Sequence, residues 1–444
     1  LEKGTMDMNS DTLDLTRGSV PLCLIRFSFP LLLANLLQSF YSMADLLVVG
    51  RFVGETGLAA VSSASTLCFL LNAVCMGFSA GGTVLTARAR GAGDRLEEEE
   101  AAAALLLLAL AGSALLTAAA LLCYRPLFTL MALPSQAMGD ACGYMAILCW
   151  GTPFVFGYNA VCAILKGRGD SRGPLRFVAA AAVVNLLLDL ILAGPCGLGT
   201  AGTAWATVAA QGVSFLLSLA HLHRCVPLSL RRLPLRPAAL LSLLRLGLPS
   251  AVLSYLILTG LLNPFGVSVA AAAGIGLKVS TFAGMPCWAL GYGVTAMVGQ
   301  NLGAGDPDRV RQTVRSGLLL SLGATALLTA LVQLAAAPII ALFEPENAAV
   351  TAEGVRYLHI CCSVNGLIYA AMYVFDSFAI GSGASWVAMC NAMLDAALLR
   401  LPLCWLLAFP LALGPAGIYL GQAFSPILPA LAGLCYFRLR CRRS

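Results

Sequence analysis

Five polar side chains lie inside apolar stretches of this sequence, where a polar group requires a chemical reason. Asp45 follows Tyr41 by four residues, Asp189 follows Asn185 by four residues, and Thr207 lies in the next apolar stretch. Residues four apart share one face of a helix, so each carboxylate has a polar neighbour on its own face. Ionisable groups at membrane depth cost about 2.5–3.5 kcal/mol on insertion scales, and they commonly mark ion or substrate pathways.

Two carboxylates, an amide and a hydroxyl are the groups that a proton or a cation needs. Two carboxylates that are buried close together share a proton, which then exchanges near neutral pH. The same oxygens are hard ligands of the kind that hold Na⁺. A simpler interpretation is that each Asp caps or bridges helices at a packing interface.

The composition places these residues in a membrane protein. Apolar residues make up 59% of the 444 residues and charged residues only 11%, against about 25% charged residues in soluble domains. Apolar stretches of about 20 residues, the length of a membrane-spanning helix, recur along the chain. Soluble enzymes, nucleic-acid binders and fibrous proteins are excluded, and the continuous runs exclude a transmembrane β-barrel. The expected fold class is therefore an all-α membrane protein.

The apolar stretches are separated by Gly, Pro and charged residues, and this pattern predicts twelve transmembrane helices. The spans are 24–49, 58–86, 101–123, 141–164, 174–193, 201–222, 240–262, 270–299, 313–342, 354–379, 385–409 and 415–436. Sorted by alternate ends, 22 of the 27 Lys and Arg residues fall on one side, three on the other and two within spans. By the positive-inside rule, both termini are cytoplasmic. Asp45, Asp189 and Thr207 then lie in the outer half of the membrane.

Four short sequence matches recur in order at offsets of 212 to 219 residues. They are Leu24–Pro30 with Leu243–Pro249, Gly91–Asp94 with Gly303–Asp306, Gly167–Gly169 with Gly381–Gly383, and Gly199–Gly202 with Gly414–Gly417. We therefore expect an N-lobe at 1–222 and a C-lobe at 240–444, each of six helices, joined by a cytoplasmic linker at 223–239. Because six is an even number, the two lobes form a parallel internal repeat, as in secondary transporters whose bundles rock to give alternating access. The position equivalent to Asp45 is Pro264, so the second lobe lacks this carboxylate.

Other charges have simpler interpretations. Asp376 and Asp395 are candidates for a cavity lining, although Asp395 precedes Arg400 by five residues and an ion pair explains it equally well. We expect the ammonium group of Lys278 either to pair with an acid or to extend along the helix to the membrane surface. The four acids at 97–100 are expected to form the solvated first turn of the third span, stabilised by the helix dipole.

The cysteines and histidines show no metal-site pattern. The 16 cysteines include no CxxC pair and are expected to be small helix-packing residues. No metal site is predicted apart from a possible Na⁺ at Asp45, Asn185, Asp189 and Thr207, and no cofactor is expected beyond a coupling ion, H⁺ or Na⁺.

Sulfur and aromatic side chains cluster in the eighth and tenth spans. They are Met285, Trp288 and Tyr292, followed by Met372, Tyr373 and Phe375. Met and aromatic surfaces adapt to varied amphipathic cations, although ordinary helix packing also uses these residues. Pro30 in the first span is a candidate kink for gating.

Several of these segments together resemble the multidrug and toxic compound extrusion (MATE) transporters. The matching segments are Asp45–Gly54 followed by Gly57–Ala60, the two Gly-Ala-Gly-Asp motifs, Lys166–Pro174, Gly299–Gly305 and Leu399–Pro402. The resemblance covers nearly the whole chain. It implies twelve helices in two lobes and the cation-coupled export of amphipathic, often cationic compounds.

Within that family the sequence is most similar to the bacterial DinF-type branch. The resemblance implies a coupling site at Asp45, Asn185, Asp189 and Thr207, with Pro30 and Tyr41 preceding the first Asp. It also implies that Tyr144 and Asn159 face the substrate cavity, where we place Met285, Trp288, Tyr292, Met372 and Asp376 as well. The sequence departs from the NorM-type and eukaryotic branches because its seventh span contains no acid.

The sequence thus predicts a multidrug antiporter of the bacterial inner membrane, not an enzyme, that acts as a monomer on small molecules without nucleic acid. The main alternative is a flippase for lipid-linked oligosaccharides, a related superfamily with a similar fold. Its pyrophosphate substrates favour arginines in the cavity, whereas most basic residues here lie on the cytoplasmic side. A membrane-embedded enzyme needs a nucleophile and base or a metal set, and no HExxH or GxSxG motif occurs. A passive channel would lack coupling.

Overall fold

In a computed structural model of the chain, the structure describes residues 12–131, 133, 135–226, 258, 261–342 and 348–443. Almost all of these residues are helical, and none of them lies in a strand. Ten helical stretches in this part are long and apolar enough to cross a membrane. The predicted all-α membrane fold is confirmed.

Six long helices form the first half of the chain. They are α1 (Val20–Phe52), α2 (Glu55–Ala92), α3 (Arg95–Leu130), α4 (Ser135–Gly167), α5 (Arg172–Ala193) and α6 (Gly199–Cys225).

The helices of the second half are more often interrupted. After a 3₁₀ turn at Asn263–Phe265, they are α7 (Val267–Gly303), α8 (Pro307–Leu334), α9 (Ala336–Ala341), α10 (Ala348–Cys361), α11 (Val364–Gly381), α12 (Ser385–Met393), α13 (Leu401–Ala408), α14 (Pro415–Phe424) and α15 (Ile427–Arg443). A π-helical segment, Leu394–Arg400, joins α12 to α13.

Eleven of the twelve predicted spans coincide with these helices. The ninth, tenth and twelfth spans are each divided into two helices by a break of one or two residues. The seventh span, 240–262, and most of the linker at 223–239 lie outside the described residues. The predicted lobe boundaries therefore stay a prediction.

The described chain divides into two compact units. The first contains residues 12–15 and 29–226, and the second contains residues 16–28 and the described residues from 258 onward. Within the first unit, the Leu13 amide donates a 3.1 Å hydrogen bond to the Gly169 carbonyl. Within the second, the Arg309 guanidinium donates 2.8 Å hydrogen bonds to the carbonyls of Arg17 and Gly18. The first turns of α1 thus belong to the second unit and its remainder to the first.

The two Gly-Ala-Gly-Asp motifs form the same helical corner in both units. Gly93 and Gly305 have φ angles of +72° and +74°, which favour glycine. Asp94 accepts hydrogen bonds from backbone amides at the start of α3, and Asp306 does so from the Arg309 amide at the start of α8. A side chain at each N-cap replaces the missing backbone acceptor.

A second repeated feature is a close approach between helices. A Cβ atom at Gly167 would lie 2.7 Å from the Thr83 carbonyl oxygen, and one at Gly381 would lie 2.8 Å from the Thr295 carbonyl oxygen. Only glycine lets α4 approach α2, or α11 approach α7, this closely. The internal repeat in the sequence therefore corresponds to a repeat in local structure.

Candidate functional site

The candidate site lies within the first unit, on helices α1, α4, α5 and α6. Helix α6 packs along both α4 and α5, which brings side chains from neighbouring helices together. On α5, Asn185 and Asp189 lie four residues apart on one face, and both are buried, with 1% and 0% of their surface exposed. Asp45 on α1 is 9% exposed. The sequence pattern therefore places all three polar groups in the interior.

The carboxyl groups of Asp45 and Asp189 lie close enough together to influence one another. The two residues are 144 positions apart in the chain, so only helix packing brings them together. Two carboxylates buried close together repel one another unless a proton or a cation lies between them. The structure brings this predicted pair together.

The described residues provide few hydrogen-bond donors to this pair of carboxylates. Asp45 Oδ1 and both carboxylate oxygens of Asp189 are buried without a hydrogen-bond partner among the described residues. The side-chain oxygen and nitrogen of Asn185 are also buried without a hydrogen-bond partner among the described residues. Buried charge without compensating donors is costly, because desolvation is not repaid. The group is therefore suited to exchange with a proton or a cation.

Tyr144 on α4 connects the pair to Thr207. Its phenol group lies near both Asp45 and Asp189 and near the side chain of Thr207. The Thr207 hydroxyl donates a 2.9 Å hydrogen bond to the Thr203 carbonyl, which leaves its oxygen available as an acceptor. We predicted Tyr144 as a residue of the substrate cavity, and the structure places it beside the carboxylates.

Tyr41 lies one turn before Asp45 on α1 and interacts with it electrostatically. Its hydroxyl also contacts Gln38, a partner that the sequence did not suggest. Pro30 lies inside α1, near the point where this helix passes from the second unit to the first. Proline has no amide hydrogen, so the Arg26 carbonyl lacks its usual helical donor.

Asn159 is not brought into this group. Its side-chain amide donates a 2.9 Å hydrogen bond to the Val155 carbonyl one turn earlier on α4. The amide donor therefore serves its own helix. The predicted cavity role of Asn159 remains a prediction.

The predicted cavity residues of the second unit lie on α7 and α11, which pack together. Met285 and Met372 are buried, whereas Trp288 and Tyr292 are half-buried. Tyr373 packs against Gly291, because a Cβ at that glycine would lie 2.4 Å from the Tyr373 ring. Tyr292 and Tyr373 interact, which indicates that helix packing accounts for part of this cluster.

The two acids that we predicted as candidates for a cavity lining, Asp376 and Asp395, each have partners. Asp376 accepts a 2.7 Å hydrogen bond from the Asn391 side chain on α12. Asp395 forms an ion pair with Arg400 and accepts a 2.7 Å hydrogen bond from the Ser425 hydroxyl. The pairing of Asp395 with Arg400 is confirmed. Nothing in the sequence pointed to Asn391 or Ser425 as partners of these acids. Asn391 lies on the helix after that of Asp376, and Ser425 lies in the turn after α14.

A further buried polar cluster lies at the end of the first unit that we predicted to be cytoplasmic. Asp170 is completely buried, accepts hydrogen bonds from the amides of Arg172 and Gly173, and lies 2.9 Å from His221 Nε2. Glu98 is 3% exposed and pairs with Arg168.

The solvated first turn expected for residues 97–100 is therefore wrong at Glu98. Its carboxylate also lies 3.8 Å from Arg90, so it is enclosed by two guanidinium groups from other segments. A glutamate in a charge run looks solvated in the sequence, because nothing local reveals partners on other helices.

The larger of two cavities described for this part of the chain has a volume of about 550 Å³ and lies between the end of α3 and the start of α4. Its lining residues are Tyr124, Arg125, Thr129, Met138, Gly139, Cys142, Gly143 and Ala146. None of the predicted substrate residues lines it.

Solved structures with the same fold define the class of protein. A crystal structure of a MATE transporter in the straight conformation covers 98% of this chain and 99% of its own, with a TM-score of 0.91 and 21% sequence identity. The chain therefore shares the multi-pass helical fold of that protein.

The sequence comparisons identify the family. Residues 30–191 and 249–406 match the MatE family, and the chain belongs to this family of membrane transporters. It is 28% identical over 440 residues to the probable multidrug resistance protein YpnP of Bacillus subtilis (strain 168), covering 96% of both chains. It is 31% identical over 337 residues to the probable multidrug resistance protein YoeA of the same organism, covering 72% of this chain and 73% of YoeA. The assignment to the DinF-type branch stays a prediction.

Proposed function

We propose that this protein is a secondary active antiporter that exports amphipathic, mostly cationic small molecules in exchange for H⁺ or Na⁺. The observation that carries this proposal is that Asp45 and Asp189 lie buried close together, with carboxylate oxygens that no described donor reaches. The names of YpnP and YoeA, probable multidrug resistance proteins, support the substrate class. In the proposed setting, the chain is a monomer in a bacterial inner membrane with both termini in the cytoplasm.

The coupling step depends on the charge of the carboxylate pair. A proton or Na⁺ that enters from outside reduces this charge and changes the hydrogen bonding available to Tyr41 and Asn185. A ligand shifts a conformational equilibrium only by its different affinity for the two states. The coupling ion therefore favours the conformation in which the pair is occupied, and substrate favours the other.

The conformational step is a rocking of the two lobes, accompanied by a bend of α1 about Pro30. Substrate and coupling ion need not touch, because each acts by favouring one of the two conformations. We assign substrate contact to Met285, Trp288, Tyr292, Met372 and Asp376, and to Tyr144 and Asn159 in the first unit.

The test is export of a fluorescent cationic dye from proteoliposomes under an imposed pH gradient and, separately, under a Na⁺ gradient. We expect uphill export in wild type under one of the two gradients. Asp45→Asn and Asp189→Asn should each abolish uphill export, because an amide neither takes up a proton nor carries charge for Na⁺. The gradient that drives export identifies the coupling ion.

Glu97→Gln is the matched control, since it removes one negative charge from an exposed position of the same unit. It should export at the wild-type rate. Full uphill export by both Asp variants would disprove the proposed coupling site. Absence of transport by wild type under either gradient would disprove antiport of such dyes.

A further inference from the structure

A second cavity, with a volume of about 490 Å³, lies in the second unit between the start of α8 and the end of α15. Four of its seven lining residues are arginines. The full lining is Arg311 and Arg315 from α8, and Leu434, Phe437, Arg438, Cys441 and Arg442 from α15. Each helix contributes two arginines four residues apart, so each pair lies on one helix face.

No acidic residue of the described part of the chain lines this cavity. Arg311 reaches Asp308 at 3.1 Å, an aspartate whose side chain is 81% exposed, and it also donates a 2.6 Å hydrogen bond to the Cys441 carbonyl. Among the described residues, Arg315, Arg438 and Arg442 form no ion pair with an acid. Four guanidinium groups of like charge around one cavity favour an anion between them.

The shape of the guanidinium group specifies the kind of anion. Its planar set of donors matches two oxygens of a phosphate at once, and arginine is the preferred side chain for such bidentate recognition. Two arginine pairs on facing helices offer these donors from two sides. A phosphate ester with several free oxygens therefore fits the charge and the donor geometry of the cavity.

The apolar part of the lining distinguishes a lipid from a soluble phosphate. Leu434 and Phe437 lie on α15 before Arg438, on the side toward the membrane-spanning part of the helix. A soluble phosphate has no use for this apolar wall, whereas the glycerol and acyl chains of a phospholipid bury it. Basic pockets between transmembrane helices at the cytoplasmic surface are a known way to hold anionic headgroups.

We propose that the cavity formed by Arg311, Arg315, Arg438 and Arg442 binds the phosphate headgroup of an anionic phospholipid. Its assignment to the cytoplasmic leaflet rests on the topology in the proposed function, whereas binding itself does not. A headgroup held here bridges α8 and α15 and neutralises their arginines.

The test is lipid binding to the purified full-length protein in a non-ionic detergent, measured by native mass spectrometry during titration with phosphatidylglycerol. The double variant Arg315→Gln/Arg438→Gln removes one arginine from each helix. We expect its Kd for phosphatidylglycerol to rise by about tenfold or more, as for the loss of charge-assisted hydrogen bonds. Wild type should bind phosphatidylcholine much more weakly than phosphatidylglycerol.

The matched control is Arg95→Gln/Arg224→Gln, which removes two exposed arginines from the first unit at the predicted cytoplasmic surface. It should bind phosphatidylglycerol within about twofold of wild type, a change too small to reflect a lost bidentate contact. Equal loss in both double variants would show attraction by general surface charge and overturn the proposal.

Two further measurements keep the site and the ligand class falsifiable. Arg315→Lys/Arg438→Lys keeps the charge but loses the planar donor set, so its affinity should fall between wild type and the Gln variant. Inorganic phosphate and glycerol phosphate at the same concentration as the lipid should not displace it. Displacement by either would overturn the lipid assignment in favour of a soluble phosphate. Because no gradient is used, failure here leaves the proposed antiport untouched.

Discussion

Asp45 and Asp189 differ from the other buried acids in the described chain by lacking donors. Asp170, Glu98 and Asp395 are equally buried, yet each has a cationic or hydrogen-bonding partner from another segment. A buried acid with partners stabilises a single structure, whereas an acid without them changes energy strongly when a cation arrives. This difference, more than burial, marks the pair as the candidate coupling site.

Asn185 and Thr207 provide a way to distinguish the two coupling ions. Na⁺ needs several oxygen ligands, and these two neutral side chains supply oxygens beside the carboxylates. A proton needs only the carboxylates. Thr207→Val and Asn185→Leu keep the side-chain size approximately and remove the oxygen.

We expect these two variants to raise the Na⁺ concentration for half-maximal export by about tenfold if Na⁺ is the coupling ion, since one lost polar contact costs about 1–3 kcal/mol. Under H⁺ coupling, export driven by a pH gradient should persist in both. The measurement is the dye-export rate against Na⁺ concentration and against the pH gradient. Unchanged Na⁺ dependence in a Na⁺-driven protein would show that neither oxygen is a ligand.

At the scale of the element, the π-helical segment between α12 and α13 explains why Asp395 and Arg400 form an ion pair. Residues five apart on an α-helix are separated by about 140° around the axis, which places Asp395 and Arg400 on different faces. The wider π turn brings such residues closer together, and the ion pair forms within this segment. The sequence showed the two charges, but the helix type decided that they meet.

Helix α1 contains both Pro30, where we propose a bend, and Asp45 of the proposed coupling site. Pro30 removes one backbone hydrogen bond inside the helix, at a cost of about 3 kcal/mol relative to an ordinary residue. The same helix carries Tyr41 and Asp45 further along. Binding at Asp45 and bending at Pro30 therefore act on one continuous element.

Pro30→Ala should restore the missing hydrogen bond and favour the straight helix. We expect the variant to fold with unchanged or higher thermal stability but to export dye several-fold more slowly, because bending then costs an additional hydrogen bond. The measurements are the unfolding temperature in detergent and the initial export rate in proteoliposomes. Phe29→Ala, a neighbouring change at an exposed position that leaves the backbone donors intact, is the control. Wild-type export by Pro30→Ala would contradict a role for this bend.

At the scale of the whole molecule, the two halves of the chain resemble each other more in backbone geometry than in their acidic side chains. The corners at Gly93 and Gly305 share their geometry, and so do the close approaches at Gly167 and Gly381. The Asp45 position has no acidic counterpart in the second half, and the described acid Asp376 has its own donor in Asn391. The second unit thus repeats the scaffold without the uncompensated pair.

The predicted orientation in the membrane is testable with native cysteine chemistry. Cys196 is exposed in the turn between α5 and α6, which we place outside the cell, and Arg95 is exposed at the corner between α2 and α3, which we place inside. Cys123 is also exposed and lies at the predicted outer end of α3, so a membrane-impermeant thiol reagent should label intact cells in a way that Cys123→Ala/Cys196→Ala largely removes.

The complementary variant adds Arg95→Cys to Cys123→Ala/Cys196→Ala. It should be labelled only after the membrane is permeabilised, and its dye export serves as the control for correct folding. Labelling of this variant in intact cells would reverse the proposed topology. Such a result would also move the arginine cavity of α8 and α15 to the outer leaflet.

The sequence alone determined the membrane class, eleven of the spans in the described chain and the internal repeat. These properties depend on averages or on local pattern: hydropathy over about 20 residues, glycine and aspartate at helix corners, and recurrence along the chain. It also identified Asp45 and Asp189 as unusual, because an acid within an apolar run is conspicuous without any knowledge of its neighbours.

Only the tertiary structure decided which polar groups meet. It joined Asp45 to Asp189 and Tyr144 to both, directed the Asn159 donor to its own helix, and enclosed Glu98 between arginines. These contacts depend on how each helix is rotated about its axis and how closely it approaches its neighbours. That rotation and approach result from packing across the whole unit, whereas hydropathy and spacing describe one segment at a time.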